Sequence, residues 1–97
     1  MNNYDQRQYE VMKQLVSAAK NGTLNINRFI SDIESLLALL EEPNPEWKKR
    51  FRREWANIDT TYAVAASRDP YEMKDQERAR IKSYLSQMES LLDQIGV

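Results

Sequence analysis

The feature that most constrains this chain is an almost uninterrupted apolar stripe between residues 26 and 40. Its members recur at steps of three and four residues, the spacing that places side chains on one face of an α-helix. Asn25 precedes the stripe and can cap the helix, because its side-chain oxygen can accept a hydrogen bond from a free backbone N–H. No other segment indicates its secondary structure so strongly. The stripe consists of Ile26, Phe29, Ile30, Ile33, Leu36, Leu37 and Leu40.

Turn residues divide the chain into three further helical segments. Gly22 ends the first, over about residues 4–21, where a glycine commonly terminates a helix. Asn44 and Pro45 begin the third as its N-cap and first residue, and Pro70 follows its end. The fourth covers about residues 75–95. The inward positions are Tyr9, Met12, Leu15, Val16 and Ala19 in the first helix, Trp47, Phe51, Trp55, Ile58, Tyr62 and Ala65 in the third, and Ile81, Tyr84, Leu85, Met88, Leu91, Leu92 and Ile95 in the fourth.

These segments predict an all-α protein, a four-helix antiparallel bundle that forms a single helical domain over residues 1–97. Short connections favour antiparallel neighbours, and two glycines and three prolines are too few for a β-rich chain. Ala56, Ala63 and Val64 lie outside the apolar stripe of the third helix, so we expect its second half to be packed on more than one side. We also expect Asp59 to be half-buried and hydrogen-bonded to a neighbouring helix.

The composition excludes the commonest kinds of active site. There is no histidine and no cysteine, which removes imidazole and thiol nucleophiles and His/Cys metal sites. The paired carboxylates of Glu41 and Glu42 are consecutive, and consecutive helical side chains point about 100° apart, so they do not converge on one substrate atom. We therefore predict that the protein is not an enzyme and holds no metal and no cofactor.

The sequence also predicts a cytoplasmic protein. The formal net charge is −1, so no overall field attracts the chain to nucleic acid or to anionic lipid. Residues 1–7 are polar and lack the apolar core of a signal peptide. The longest apolar run, residues 36–40, is far shorter than the roughly 20 residues that span a bilayer.

Four carboxylates of the second helix and its end are candidate partner-binding residues. They border the apolar stripe or face away from it, where they are either ordinary solvated surface or a contact patch for a basic protein. These residues are Asp32, Glu34, Glu41 and Glu42.

A basic cluster in the third helix offers a different interpretation. Its candidate residues are Lys48, Lys49, Arg52 and Arg53, in a segment (residues 43–68) with six basic and three acidic side chains. Basic side chains interleaved with aromatic rings can grip a phosphate backbone and stack bases. Trp47 and Phe51, however, fall on the core stripe, so we rank nucleic-acid binding below protein binding.

The first 40 residues resemble the opening of small all-helical bacterial immunity proteins of the colicin D type. The resemblance lies in Leu15-Val16, Asn21-Gly22-Thr23-Leu24, Phe29-Ile30 and Asp32-Ile33, and it extends to the whole chain in size and helix count. In that family a helix ends at a glycine, a hydrophobic residue follows, and a Phe-containing helix comes next. The resemblance implies a protein that neutralises a toxin, commonly a ribonuclease, by tight one-to-one binding.

Together these observations predict a non-catalytic protein-binding module, most specifically an immunity protein whose partner is a toxin domain. Two alternatives remain open at this point. One is a small nucleic-acid-associated or regulatory protein that uses the basic cluster at residues 48–53. The other is a homodimeric structural module that buries Ala56, Ala63 and Val64 against a second copy. The protein is accordingly expected to be a monomer or a homodimer.

Overall fold

The computed structural model describes residues 2–96, which form four α-helices. They are α1 (Asn3–Lys20), α2 (Ile26–Leu39), α3 (Pro45–Ala66) and α4 (Asp75–Gln94). Within this part of the chain the backbones of α1 and α2, α2 and α3, α3 and α4, and α4 and α1 lie close together, whereas the two diagonal pairs do not. Consecutive helices run antiparallel. The four-helix bundle predicted from the sequence is confirmed.

Asparagine caps define where three of the helices begin. The side-chain oxygens of Asn2, Asn25 and Asn44 each accept a hydrogen bond from the backbone N–H three residues later, at distances of 2.7, 2.8 and 3.1 Å. Pro45 is the first residue of α3, where its missing N–H costs no helical hydrogen bond. Gly22 follows α1 with a φ of +79°, a left-handed conformation that strains other residues. The predicted caps and the predicted stop at Gly22 are confirmed.

Trp47 links three helices within the core. Its ring lies edge-on to Tyr9 of α1, with ring centroids 5.1 Å apart, and stacks on Phe51 at 4.8 Å. Its indole N–H donates a hydrogen bond of 2.7 Å to the carbonyl oxygen of Leu91 in α4. The ring is therefore both buried and hydrogen-bonded, as a core tryptophan requires.

Trp55 is less buried than its position on the inward apolar stripe predicted. It is half-buried, and its indole N–H donates to the carbonyl oxygen of Ile30 in α2 at 2.8 Å. The guanidinium carbon of Arg52 lies 5.8 Å from the centroid of its ring. Trp55 thus belongs to the edge of the α2–α3 contact, where one face of the ring is covered by a cation.

The second half of α3 is packed on one side only. Ala56, Ala63 and Val64 are exposed, so the expectation that several sides of this segment are packed was wrong. Asp59 is also exposed, and the expected half-buried position was wrong as well. The physical reason is that α2 and α4, the two neighbours of α3, both contact it along the stripe that carries Ile58 and Ala65, and nothing in residues 2–96 covers the opposite side.

An ion pair between Arg68 and the buried Glu77 stabilises the connection between α3 and α4. Glu77 has a side chain only 8% exposed, and its Oε2 accepts a hydrogen bond of 2.9 Å from Nη2 of Arg68. Oε1 of Glu77 also accepts from the backbone N–H of Lys74 at 2.9 Å. The Arg68 hydrogen bond, followed by the Lys74 hydrogen bond, lowers the pKa of Glu77 from 4.5 to about 2.

We predict that truncating Trp47 destabilises the bundle far more than truncating Trp55. Trp47→Ala should lower the free energy of unfolding by about 3 to 5 kcal/mol, because it leaves a cavity in the core. Trp55→Ala is the matched control, since it removes the same side chain and one indole hydrogen bond from a half-buried position. Urea unfolding monitored by circular dichroism measures both. An equal or larger loss for Trp55→Ala would contradict the deeper burial assigned to Trp47.

The Glu77 ion pair should make stability depend on pH at the acid end. Its pKa is lower in the folded state (about 2) than the ordinary value of 4.5, so its stabilisation is complete above pH 4.5 and is lost as the pH falls towards 2. Arg68→Gln removes the main cause of the shift. As the pH is lowered from about 5 to about 2, the urea concentration at the midpoint of unfolding should therefore fall more steeply for the wild type than for this variant. Parallel curves for the two proteins would refute the assigned role of the pair.

Candidate functional site

A buried carboxylate holds the connection between α2 and α3 against the start of α1. Asp5 is 0% exposed. Its Oδ1 accepts a hydrogen bond of 2.8 Å from the backbone N–H of Glu41, and its Oδ2 accepts one of 2.7 Å from that of Glu42. Asp5 lies in the first turn of α1, where the positive end of the helix dipole stabilises an anion. Burial, and then the nearby Asp5 carboxylate, raise the pKa of Tyr9 one turn further along α1.

The side chains of Glu41 and Glu42 remain exposed outside this anchored backbone. The side-chain amide nitrogen of Asn2 lies 3.4 Å from Oε1 of Glu41 and 3.4 Å from Oε2 of Glu42. One amide therefore bridges the two carboxylates, and Asn2 is itself fixed as the cap of α1. We call Glu41 and Glu42 the acidic corner. Its carboxylates face solvent while the backbone that carries them is fixed.

Exposed apolar side chains of α1 lie on the side that faces α2. Lys13 and Lys20 pair with Asp93 and Glu89 of α4 at 3.5 and 3.1 Å, so their side of α1 faces α4. The opposite side is the one that borders α2, and it carries three apolar residues at helical spacing. These are Tyr4 (39% exposed), Val11 (41% exposed) and the half-buried Leu15.

Leu39 adds an exposed apolar side chain from α2. Ile30 lies on the side of α2 that faces α3, as its hydrogen bond with Trp55 shows. Leu39 follows Ile30 by nine residues, or two and a half helical turns, and so lies on the opposite side, towards α1. It is 48% exposed. We call Tyr4, Val11 and Leu39 the α1–α2 surface, and the acidic corner adjoins it where α2 ends.

The four carboxylates predicted from the sequence do not share one face. Glu41 and Glu42 are brought together at the acidic corner. Asp32 precedes Leu39 by two turns and lies on the same side of α2, where it pairs with Arg28 at 3.6 Å. Glu34 is exposed, but it lies about 200° further round the helix than Asp32 and therefore on a different side.

The predicted basic residues of α3 lie side by side on the helix, but they differ in exposure and in their contacts. Lys48 is half-buried, and Lys49, Arg52 and Arg53 are exposed. Arg52 is engaged with the ring of Trp55, whereas Lys49 and Arg53 are one turn apart and point outward. The neighbouring rings of Trp47 and Phe51 are only 6% and 0% exposed, so they are not available to stack on bases.

Sequence reasoning did not find Asp5 or the α1–α2 surface. The spacing of Asn2 and Asp5 is typical of a helix start, but it carries no information about a partner more than 30 residues away. Tyr4 and Val11 lie outside the inward stripe of the first helix. The only sequence signal for this surface was a second line of apolar residues along the first helix: Tyr4, Val11 and Leu15.

Within residues 2–96, no group of three or more His, Cys, Asp or Glu side chains is arranged to hold a metal ion. In the same range no helix has both the length and the apolar character needed to cross a membrane. No family model, no curated protein sequence and no solved structure matches the chain.

We predict that Asp5 contributes much more to the free energy of unfolding than an average surface carboxylate does. Asp5→Ala leaves the N–H groups of Glu41 and Glu42 without their acceptor, and it should lower the free energy of unfolding by at least about 2 kcal/mol. Asp59→Ala, an exposed carboxylate on α3, is the control and should change it by less than about 0.5 kcal/mol. Similar values for the two variants in urea titrations would contradict the anchoring role.

Proposed function

We propose that this protein is a non-catalytic protein-binding module, and specifically an immunity protein that neutralises a bacterial toxin by one-to-one binding. The observation that supports the proposal best is the combination of the α1–α2 surface with the acidic corner. Protein interfaces typically join aromatic and aliphatic contacts at the centre to a polar rim. Here the apolar residues Tyr4, Val11 and Leu39 would form the centre, and Glu41 and Glu42 the rim.

The fixed backbone of the acidic corner favours tight binding. A loop that must become ordered when a partner binds loses part of the interaction free energy as conformational entropy. In this protein the backbone at Glu41 and Glu42 is already held by Asp5 in the free state. Tyr4 supplies an aromatic ring on the adjoining surface, and aromatic residues are common among those that contribute most to interface affinity.

The charge at the acidic corner indicates the kind of partner. Residues 1–42 carry six acidic and four basic side chains. Glu41 and Glu42 lie beside the α1–α2 surface, whereas Asp32 is paired with Arg28 and the exposed Arg7 lies between Tyr4 and Val11. A ribonuclease attracts its phosphate-bearing substrate with positive charge, and an acidic surface complements that charge. The proposed partner is therefore a toxin domain with a basic surface, of the ribonuclease class that the resemblance to colicin D immunity proteins implies. The proposed site of action is the bacterial cytoplasm.

Alanine substitutions of the apolar centre test the proposed interface. The probe is the toxin domain encoded by the neighbouring gene, since immunity genes normally accompany their toxin, and light scattering should give a one-to-one complex with the wild type. Tyr4→Ala/Leu39→Ala should weaken the affinity at least about tenfold, mainly through faster dissociation. Both residues are already partly exposed, so circular dichroism should show unchanged helicity.

Charge reversal tests the acidic corner separately. Glu41→Lys/Glu42→Lys leaves the backbone N–H groups that Asp5 binds in place, so the fold should persist while association with the toxin slows and its salt dependence weakens. Glu34→Lys, on another side of α2, is the matched control and should bind with nearly the wild-type association rate.

Two results would contradict the proposal. One is loss of toxin binding in Lys49→Glu/Arg53→Glu with normal binding in the acidic-corner variant. The other is sub-micromolar binding of the wild type to single-stranded RNA in about 150 mM salt, where surface charges are strongly screened. Either would favour the basic cluster of α3. A stable homodimer that excludes the toxin would instead favour the exposed side of α3 that carries Ala56, Ala63 and Val64.

A further inference from the structure

A cavity of about 480 Å³ opens at the end of the bundle opposite the acidic corner. Its walls come from the end of α1, the connection from α1 to α2, the first residue of α2, the connection from α3 to α4, and one side of α4. Four residues of α4 contribute, and their spacing of three and four places them along one side of that helix. These are Arg78, Ile81, Lys82 and Leu85.

The inner wall of this cavity is apolar. Ile81 and Leu85 are 4% and 2% exposed and form part of the hydrophobic core. Leu24 and Met73 are half-buried at the sides, and Tyr71 stands at the edge with 56% of its surface exposed. The volume lies within the range of about 300 to 1,000 Å³ that is usual for small-molecule sites, and its outer side is open to solvent.

The charged residues that line the cavity are all cationic: Lys20, Arg78 and Lys82. Lys20 is paired with Glu89 at 3.1 Å. Arg78 and Lys82 lie one turn apart, and neither forms an ion pair within residues 2–96. Nε of Arg78 donates a hydrogen bond of 3.4 Å to the carbonyl oxygen of Met73, so its two terminal nitrogens are the ones that can meet an anion. The cavity therefore joins an apolar inner wall to two uncompensated cations at its edge.

The donors beside the cavity can hold a small anionic head. Ile26, the first residue of α2, lines the cavity, and the first backbone N–H groups of a helix have no helical acceptor and favour an anion. The backbone N–H of Gly22 already donates to the carbonyl oxygen of Ala19. Arg78 and Lys82 add two side-chain cations, and a carboxylate is an anionic head that such donors bind.

We infer that this cavity binds a small amphipathic carboxylate, a molecule with an apolar chain or ring and one anionic head. The chain lies against Ile81, Leu85 and Met73, and the head lies between Arg78 and Lys82. The site is separate from the α1–α2 surface, and a carboxylate bound there does not occupy the proposed toxin interface.

Titration with octanoate tests this inference, with octanol as the uncharged ligand of equal chain length. Calorimetry should give saturable binding of octanoate with a dissociation constant of about 1 mM or lower. Amide shifts in NMR spectra should move at Gly22, Tyr71 and Ile81. Octanol should bind about tenfold more weakly, the combined effect of two exposed charge pairs.

Charge-neutralising variants test whether the carboxylate of octanoate binds between Arg78 and Lys82. Arg78→Gln/Lys82→Gln keeps good helix formers at exposed positions, and it should bind octanoate no better than octanol. Lys49→Gln/Arg53→Gln removes the same charge from α3 and should bind octanoate as the wild type does. The inference is overturned if octanoate shows no saturable binding, if octanol binds equally well, or if the shifts map to residues outside the cavity.

Discussion

The Asp5 carboxylate accepts one hydrogen bond from each of the backbone N–H groups of Glu41 and Glu42, and one end of the bundle depends on this arrangement. The chain must reverse direction between Leu39 and Pro45, and N–H groups in such a turn have no helical acceptor. A fully buried N–H group left unpaired costs about 1 to 3 kcal/mol, and the bonds to Asp5 remove the part of that cost that these part-buried groups would bear. Because the acceptor belongs to α1, the same two bonds join the start of α1 to the connection between α2 and α3. The neighbouring ring cluster, in which Trp47 stacks on Phe51 and lies edge-on to Tyr9, is on the inward side of this junction.

The acidic corner and the cations at the edge of the cavity lie at opposite ends of the bundle. One end presents Glu41 and Glu42 beside exposed apolar side chains, and the other presents Arg78 and Lys82 at the edge of an apolar cavity. The screening length is about 8 Å at physiological ionic strength, whereas the long dimension of the molecule is 45 Å. The two regions therefore act on their surroundings independently. A formal net charge of −1 conceals both of them.

The helices were predictable because the signals that define them are local. Asn25, Asn44 and Gly22 act on the backbone within a few residues of themselves, and apolar spacing identifies the inward side of each helix. How far a helix side is buried depends on where the other helices pack, and local sequence signals do not determine this. That is why the burial expected at Val64 and Asp59 was wrong. The candidate site was only partly predictable for the same reason. Glu41 and Glu42 stood out as carboxylates, but their anchor is 36 residues earlier in the sequence.

Native-state hydrogen exchange at the backbone N–H groups of Glu41 and Glu42 tests the central claim most directly. Both residues lie outside the helices with exposed side chains, so without Asp5 their N–H groups would exchange as rapidly as those of an open loop. The hydrogen bonds to the buried Asp5 carboxylate predict slow exchange instead, comparable to that of the Tyr9 N–H in the middle of α1. Exchange of these two groups at the rate of an unstructured peptide, while Tyr9 remains protected, would contradict the role assigned to Asp5.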